Sequence, residues 1–199
     1  EIGGKPARII SMTHGFHGRT MGALSATWKP AIREKFEPLV PNIEFVEAGN
    51  VEALHDAFAE TGQGKYGKGP VAAVIMELIQ GEAGVMPLGA DYVKAARKLC
   101  DEHKALLIID EVQTGLGRTG SFFSYQQFGV QPDIVSAAKG LGGGLPIGAV
   151  LFGEKTMDTM DAGTHGSTFG ANPIVCAGAN VVVDSLDDDF LSGVKEKSA

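Results

Sequence analysis

The sequence predicts an α/β fold of three layers, in which helices flank a mostly parallel sheet. Two apolar runs, at 106–110 and 133–137, are four to six residues long and rich in Ile, Leu and Val. Runs of that kind are typical of strands buried on both faces of a parallel sheet. Strand-like runs also alternate with helical patterns along most of the chain, which indicates a doubly wound sheet.

The first half of the chain alternates in this way. Strands are predicted where β-prone residues cluster, at 7–13, 43–46 and 71–77. Small, helix-compatible residues follow at 20–26, and Val51, Leu54 and Phe58 recur at helical spacing within 51–59. Residues 62–70 are rich in glycine and lysine, and we interpret them as a solvated loop. A helix at 91–103 should carry an apolar face of Tyr92, Ala95, Ala96 and Leu99.

The second half holds the remaining predicted elements. Strands are expected at 106–110, 133–137 and 147–152. We expect Ser121 to cap a short helix that runs to Phe128. The chain should end in a helix at about 173–186, whose alanines and valines would pack on the sheet, with the acidic run 187–189 as a solvated helix end.

Composition narrows the class of protein. The 199 residues can form one sizeable α/β core but are few for a complete two-domain enzyme, so we interpret 1–199 as a single domain. The first predicted strand, at 7–13, lies very close to the beginning of the sequence. We interpret this as a start inside a longer domain. The net charge of −7, with acidic and basic residues interspersed, argues against binding to nucleic acid. No apolar run has membrane-spanning length, and no signal peptide opens the chain. The two cysteines predict reduced thiols in a cytoplasmic protein.

Two charged residues stand where the two apolar runs end. Asp110 closes the first run, and Lys139 follows the second after two alanines. Because ligands of open α/β sheets bind outside the carboxyl ends of the strands, both side chains should face one crevice. An amine and a carboxylate there suit a cofactor that needs a Schiff base and a partner for a pyridinium nitrogen. The alternative is a structural ion pair that ends two strands.

Five long motifs carry a resemblance that goes further. They occur in order over nearly the whole chain: GFHGRT at 15–20, MELIQGEAG at 76–84, IIDEVQTGLGRTG at 108–120, AAKGLGGGLPIGA at 137–149 and GTHGSTFGANP at 163–173. In these motifs the chain resembles the class III aminotransferases, and most of all their acetylornithine aminotransferase branch. The resemblance implies a partial major domain of the fold type I pyridoxal-phosphate enzymes, with pyridoxal 5'-phosphate as cofactor.

The resemblance also implies roles for cofactor-binding residues. Lys139 would form the internal aldimine and move the proton, and Asp110 would keep the pyridine nitrogen protonated. Val112 would pack on one face of the ring, and Gln113 would meet the phenolic oxygen. Phe16 would stack on the other face, although an ordinary core phenylalanine is the alternative. The glycines after Lys139 should leave the backbone room beside a bulky ring.

Other residues would bind substrate or a second subunit. Arg19 would hold the substrate carboxylate with its planar guanidinium, the alternative being a structural ion pair. Glu77 and Glu82 flank the QG pair of the second motif, and Glu82 would screen a second arginine beyond this chain. Thr168 would reach the cofactor phosphate of the neighbouring subunit, which implies a homodimer with shared active sites. No histidine spacing indicates a metal site.

The implied reaction moves the terminal amino group of N-acetylornithine, or of a similar ω-amine, to 2-oxoglutarate in the course of arginine biosynthesis. The partners would be small amino-acid and 2-oxo-acid substrates, without nucleic acid or membrane. Ornithine or 4-aminobutyrate as donor, an aminomutase, and a non-catalytic cofactor-binding fragment remain alternatives. We also expect residues 1–199 alone to be a poor catalyst.

Overall fold

A computed structural model describes residues 6–59 and 69–198, so most of the predicted loop at 62–70 lies outside the described residues. The chain forms two compact units, Glu1–Ile108 and Ile109–Ala199, and the division falls within one strand. Its main sheet has six strands, is mostly parallel, and has the order β2-β1-β3-β6-β7-β8 in chain numbering. The predicted fold class is confirmed.

Unit 1 is built around parallel strands covered by helices. The strands are β1 (Arg8–Met12), β2 (Ile43–Val46) and β3 (Val71–Met76), followed by a short hairpin of β4 (Ile79–Gln80) and β5 (Met86–Pro87). The helices are α1 (Met21–Ala26), α2 (Pro30–Arg33), α3 (Val51–Phe58) and α4 (Ala90–His103). β1 pairs in parallel with both β2 and β3, from Ile9 opposite Ile43 on one side to Ile10 opposite Val74 on the other.

Local sequence explains where these helices start and which face they bury. The Asn50 side chain accepts a hydrogen bond from the Ala53 N–H at 3.0 Å and so caps α3. In α4, the predicted face of Tyr92, Ala96 and Leu99 is buried. The helix then ends at Lys104, which adopts the left-handed conformation (φ 55°) that often terminates helices.

Unit 2 contains the end of β6 (Leu106–Asp110), then β7 (Ile134–Ala137) and β8 (Ala149–Phe152). β8 runs antiparallel to β7, with Ala137 opposite Ala149. Two helices follow, α5 (Pro173–Asp184) and α6 (Asp188–Ser198), and 3-10 turns occur at Ser124–Phe128, Lys139–Gly142 and Met157–Thr159. The predicted acidic run 187–189 therefore lies after the end of α5, at the start of α6.

Two expectations for unit 2 are wrong. Ser121 caps no helix: its hydroxyl donates to the Phe123 carbonyl at 3.0 Å, and the 3-10 turn begins after Phe123. The face of α5 does not pack on the sheet either. Its one buried residue is Ala179, Val181 is 66% exposed, and the helix contacts the 3-10 turn Lys139–Gly142 instead. Periodicity shows that a helix has an apolar face, but it does not show what that face meets.

Glycine is required at positions 117 and 120 for two reasons, the backbone conformation and the close packing of other side chains. Both residues have positive φ, 80° and 82°. A Cβ atom at Gly120 would lie 2.5 Å from Lys195 Cγ, and one at Gly117 would lie 2.8 Å from Leu186 Cδ2. The GLGRTG sequence after β6 therefore lets the segment that includes α6 approach this loop closely.

A buried arginine joins three parts of unit 1. The Arg8 side chain is 2% exposed and lies 2.7 Å from the Glu44 carboxylate on β2. Its other nitrogens donate to the Gly69 carbonyl at 2.9 Å and to the Ala57 carbonyl of α3 at 2.8 Å. A buried guanidinium is tolerated only when such partners replace its water, so this cluster links β1 to its neighbours.

We expect Arg8→Met to lower the free energy of unfolding by about 3 kcal/mol, because it removes the buried cation that pairs with Glu44 and donates to two carbonyls. Urea unfolding monitored by circular dichroism would measure the change. Lys98→Ala is the control: it removes an exposed pair with Glu102 and should change stability by less than about 0.5 kcal/mol. Equal effects of the two substitutions would contradict the assignment.

Candidate functional site

The first group of predicted site residues lies at the carboxyl end of β6. Asp110 is the last residue of that strand and is 6% exposed. Its Oδ1 atom accepts hydrogen bonds from the Val112 N–H at 3.1 Å and from the Ser136 hydroxyl of β7 at 2.9 Å. These bonds hold the carboxylate in a defined orientation at the strand end, where the sequence predicted it.

Lys139 lies in the same unit, two residues after the end of β7. Its Nζ donates a hydrogen bond to Gln113 Oε1, so the structure brings two predicted site residues together. Lys139 is exposed and has φ of 47°, a left-handed conformation that is uncommon for a residue with a side chain. Such backbone strain concentrates at functional sites. Val112, the fourth predicted member, is half-buried in the turn between Asp110 and Gln113.

The glycines after Lys139 have close protein neighbours. A Cβ atom at Gly143 would lie 3.0 Å from Val182 Cγ2 of α5, and one at Gly142 would lie 3.0 Å from Ile147 Cγ2. The glycine run therefore allows α5 to pack on this turn. Room for a bulky ring, which the sequence suggested, stays a prediction.

Sequence reasoning missed Glu111, which is fully buried beside Asp110. Its Oε2 atom accepts from the Thr114 hydroxyl at 2.5 Å, and its Oε1 atom accepts from the Tyr125 N–H at 2.8 Å. Burial raises the pKa of the Glu111 carboxyl above its usual value, although hydrogen bonds from Thr114, Tyr125 and Ser124 act in the opposite direction. A glutamate that follows directly on a buried apolar run was the signal available in the sequence.

A second group of predicted residues lines a cleft in unit 1. Phe16, Arg19 and Glu82 all face this cleft, whose volume is about 510 Å³. Phe16 is half-buried, whereas the Arg19 and Glu82 side chains are exposed. We name this space the Arg19 cleft. An exposed guanidinium beside an aromatic ring can bind a small carboxylate.

Polar side chains after β3 explain why the cleft forms. The buried Glu77 carboxylate accepts a hydrogen bond from the Phe16 N–H at 2.8 Å. Gln80 donates to the Thr13 carbonyl at 2.8 Å. These two bonds tie the MELIQGEAG segment to the GFHGRT loop and thereby bring Glu82 near Phe16. The contact of Glu77 is with the protein backbone, and its predicted contact with substrate stays a prediction.

The opposite wall of the Arg19 cleft was not predicted. Trp28 and Lys29 line it, and both follow α1 directly. The Trp28 N–H donates to the Gly15 carbonyl at 2.9 Å, and the Thr27 hydroxyl accepts from the His17 N–H at 2.9 Å. A lone tryptophan after a short helix carries no motif, so only the fold places it at the site.

Thr168 lies apart from these contacts, in the exposed loop at 163–172. The flanking residues Ser167 and Phe169 line a cavity of about 280 Å³ with the start of α5. Ala171 in the same loop has φ of 55°, a left-handed conformation that is uncommon for a residue with a side chain.

Within residues 6–59 and 69–198, no group of three or more His, Cys, Asp or Glu side chains is arranged to hold a metal ion. Over the same residues, no helix is both long and apolar enough to cross a bilayer. Neither Cys100 nor Cys176 forms a disulfide within the described residues.

The sheet order, with helices flanking a mostly parallel sheet, defines an α/β protein. Residues 3–199 match the Aminotransferase class-III family, and the chain belongs to that family. The chain is 65% identical over 196 residues to acetylornithine aminotransferase of Bifidobacterium longum, covering 96% of this chain and 46% of the relative. Acetylornithine aminotransferase of Methanopyrus kandleri is 48% identical over 190 residues, with the same coverage of the two chains. The chain thus spans about half the length of the curated relatives it matches.

Solved structures of aminotransferases also superpose on this chain. Ornithine aminotransferase from Toxoplasma gondii superposes with a TM-score of 0.84 at 38% identity, over 94% of this chain and 42% of that one. N-acetylornithine aminotransferase from Stenotrophomonas maltophilia superposes with a TM-score of 0.72 at 35% identity, over 96% and 42%. The Toxoplasma protein was crystallised with partial occupancy of pyridoxal phosphate at its active site.

The cofactor of this family is pyridoxal 5'-phosphate, and the strand-end residues of unit 2 fit it chemically. Lys139 supplies a primary amine that is exposed and can react with an aldehyde. Asp110 supplies an oriented carboxylate that can pair with a pyridinium nitrogen. Gln113, in contact with Lys139, supplies an amide for a phenolic oxygen.

We expect Glu111→Gln to remove part of the pH dependence of stability. Because the folded pKa is raised, the folded chain holds this proton more tightly than the unfolded chain. The stabilisation that this tighter proton binding gives is complete at low pH. It is lost as the pH rises from the usual glutamic-acid pKa through the raised pKa of folded Glu111. Glutamine keeps the acceptor for Tyr125 but has no proton to lose.

Urea unfolding of both proteins between about pH 4 and about pH 8 would measure this effect. The free energy of unfolding of Glu111→Gln should improve relative to the unsubstituted chain as the pH rises. Glu154→Gln alters an exposed glutamate and should follow the unsubstituted chain at every pH. A stability difference for Glu111→Gln that stays constant with pH would contradict the prediction.

Proposed function

We propose that the whole protein to which this chain belongs is a pyridoxal-phosphate-dependent aminotransferase of arginine biosynthesis. It would transfer the terminal amino group of N-acetylornithine to 2-oxoglutarate, giving the semialdehyde and glutamate. The observation that carries this proposal is the placement of Lys139, Gln113 and Asp110 at adjacent strand ends in a member of the class III family. The 65% identity to an acetylornithine aminotransferase supports the choice of donor.

The proposed roles are those that the family resemblance implies, and the chemistry of each side chain suits its role. The bound cofactor supplies an electron sink for the carbanion formed at the amine-bearing carbon. Lys139 holds the cofactor covalently and carries the transferred proton on Nζ. Asp110 keeps its negative charge directed at the pyridine nitrogen because Ser136 and the Val112 N–H orient it. Val112 and Gln113 would hold the ring and its phenolic oxygen, and Phe16 would stack on the ring.

Substrate recognition is assigned to the Arg19 cleft. Arg19 binds the carboxylate of the amino-acid or 2-oxo-acid substrate, and Glu82 screens a second arginine outside this chain. Glu77 acts through the Phe16 backbone that it holds. Ornithine is the second candidate donor, because ornithine aminotransferases are among the most similar solved structures.

We further propose a cytoplasmic homodimer with shared active sites, in which Thr168 reaches the cofactor phosphate of the neighbouring subunit. The loop that carries Thr168 is exposed, and apolar side chains beside it are exposed as well, with Phe169 at 84% and Ile174 at 74%. Exposed apolar groups of this size favour association.

The function is tested with the full-length protein loaded with pyridoxal phosphate. Glutamate release from 2-oxoglutarate is measured with N-acetylornithine, ornithine or 4-aminobutyrate as donor. The proposal requires the highest kcat/KM with N-acetylornithine. Glutamate release only with another donor would reassign the substrate, and isomerisation without glutamate release would indicate an aminomutase.

Lys139 is expected to carry the cofactor, since its amine lies at the strand ends beside Gln113. Reduction of the loaded protein with borohydride should leave a pyridoxyl group on Lys139, detected by peptide mapping. Lys139→Ala should lose this label and all turnover, while Lys155→Ala, which alters a lysine paired with Asp133, should keep both. A label on any other lysine would refute the assignment.

Asp110→Asn is expected to damage catalysis more than folding or cofactor binding. Asparagine keeps an acceptor for Val112 and Ser136, but it cannot supply the negative charge that holds a pyridinium proton. Loss of one charge-assisted hydrogen bond should lower kcat roughly tenfold to a hundredfold. The control is Asp158→Asn on an exposed 3-10 turn, and a normal kcat for Asp110→Asn would show that the pyridine nitrogen has another partner.

A further inference from the structure

Trp28 is the single tryptophan of this sequence, and it has no part in the chemistry proposed for Lys139 and Asp110. It lines the Arg19 cleft together with Arg19, Glu82 and Lys29. Its side chain is half-buried, so part of the indole faces the space that a substrate would occupy. The cleft therefore has an aromatic wall within the same volume as its carboxylate-binding group.

The Trp28 ring is held in place before any ligand arrives. It makes edge contacts with Phe45, at 5.1 Å between ring centres and 71° between planes, and with His14, at 6.1 Å and 61°. Phe45 is in turn covered by the Arg33 guanidinium at 4.7 Å, and the Trp28 backbone is bonded to Gly15. A side chain fixed in this way loses little freedom on binding, so its contacts add to affinity.

The charges around the ring restrict what can pack there. Two cations, Arg19 and Lys29, and one carboxylate, Glu82, line the cleft, so its lining is net positive. When Arg19 holds a carboxylate and Glu82 screens its proposed arginine, a neighbouring ammonium group would face Lys29 as the remaining charge, whereas a neutral amide would not be repelled. A flat, neutral amide also suits the face of an indole.

We propose that Trp28 determines donor specificity: with the donor carboxylate on Arg19, the N-acyl amide of the donor packs against the Trp28 indole. This inference rests on the proposed function, because it names the feature by which the cleft selects an N-acylated amino acid over the free one. Trp28 is thus a binding determinant and takes no part in proton transfer.

The kinetic test uses the full-length, cofactor-loaded protein with saturating 2-oxoglutarate. Trp28→Ala should raise KM for N-acetylornithine about tenfold, the lower end of what one apolar contact contributes to discrimination. Its kcat, and KM for ornithine, should each change less than about twofold. Trp28→Phe, which keeps an aromatic wall, should retain most of the affinity. Phe36→Ala removes a 51% exposed aromatic residue outside the cleft lining and should behave as the unsubstituted protein.

A second measurement does not depend on turnover. N-acetylnorvaline carries the carboxylate and the acyl amide but no terminal amine, so it can bind without reacting. In titration calorimetry it should bind more tightly than norvaline, and Trp28→Ala should weaken its binding about tenfold while leaving norvaline unchanged.

The two measurements separate the two proposals. Equal losses for acylated and free ligands, or no loss in Trp28→Ala, would overturn the role of Trp28 even in an active aminotransferase. Absence of amine transfer from every donor would overturn the proposed function, while the calorimetric comparison would still decide whether Trp28 recognises the acyl amide.

Discussion

The bonds made by Ser136 are the constraint on which the site in unit 2 depends. The Ser136 hydroxyl donates to the Asp110 carboxylate at 2.9 Å, and the Ser136 carbonyl accepts from the Glu111 N–H at 2.9 Å. One residue of β7 therefore fixes both the last side chain of β6 and the direction of the chain beyond it. Because Lys139 follows Ser136 by three residues, the same strand places the amine and orients the carboxylate.

Unit 1 uses the same device at the end of β3. Glu77 accepts from the Phe16 N–H and Gln80 donates to the Thr13 carbonyl, so polar side chains just past a strand hold a neighbouring loop. Loops form few backbone hydrogen bonds of their own, and each such bond gives a partner to one of their backbone N–H or C=O groups. The candidate site residues on these loops are therefore positioned by residues that need not touch a substrate.

Much of the site could be predicted because its residues stand at positions that local sequence marks. Asp110 ends an apolar run, and Arg19 and Glu82 lie in long motifs that the family shares. Trp28 could not be predicted, and the only signal for Glu111 was its place after an apolar run. The contacts of both arise from partners distant in sequence, such as Tyr125 for Glu111 and Phe45 for Trp28.

The sequence by itself determined the α/β class, most strand and helix positions, and the family, because apolar periodicity and long motifs are local properties of the chain. The tertiary structure alone decided where the apolar face of α5 lies: Gly143 lets that helix approach the turn after β7, and Ala179 is its one buried residue. It also decided that Glu111 is a buried carboxyl and that Trp28 faces Arg19's cleft. Burial and proximity depend on which distant segments meet, and no local pattern records that.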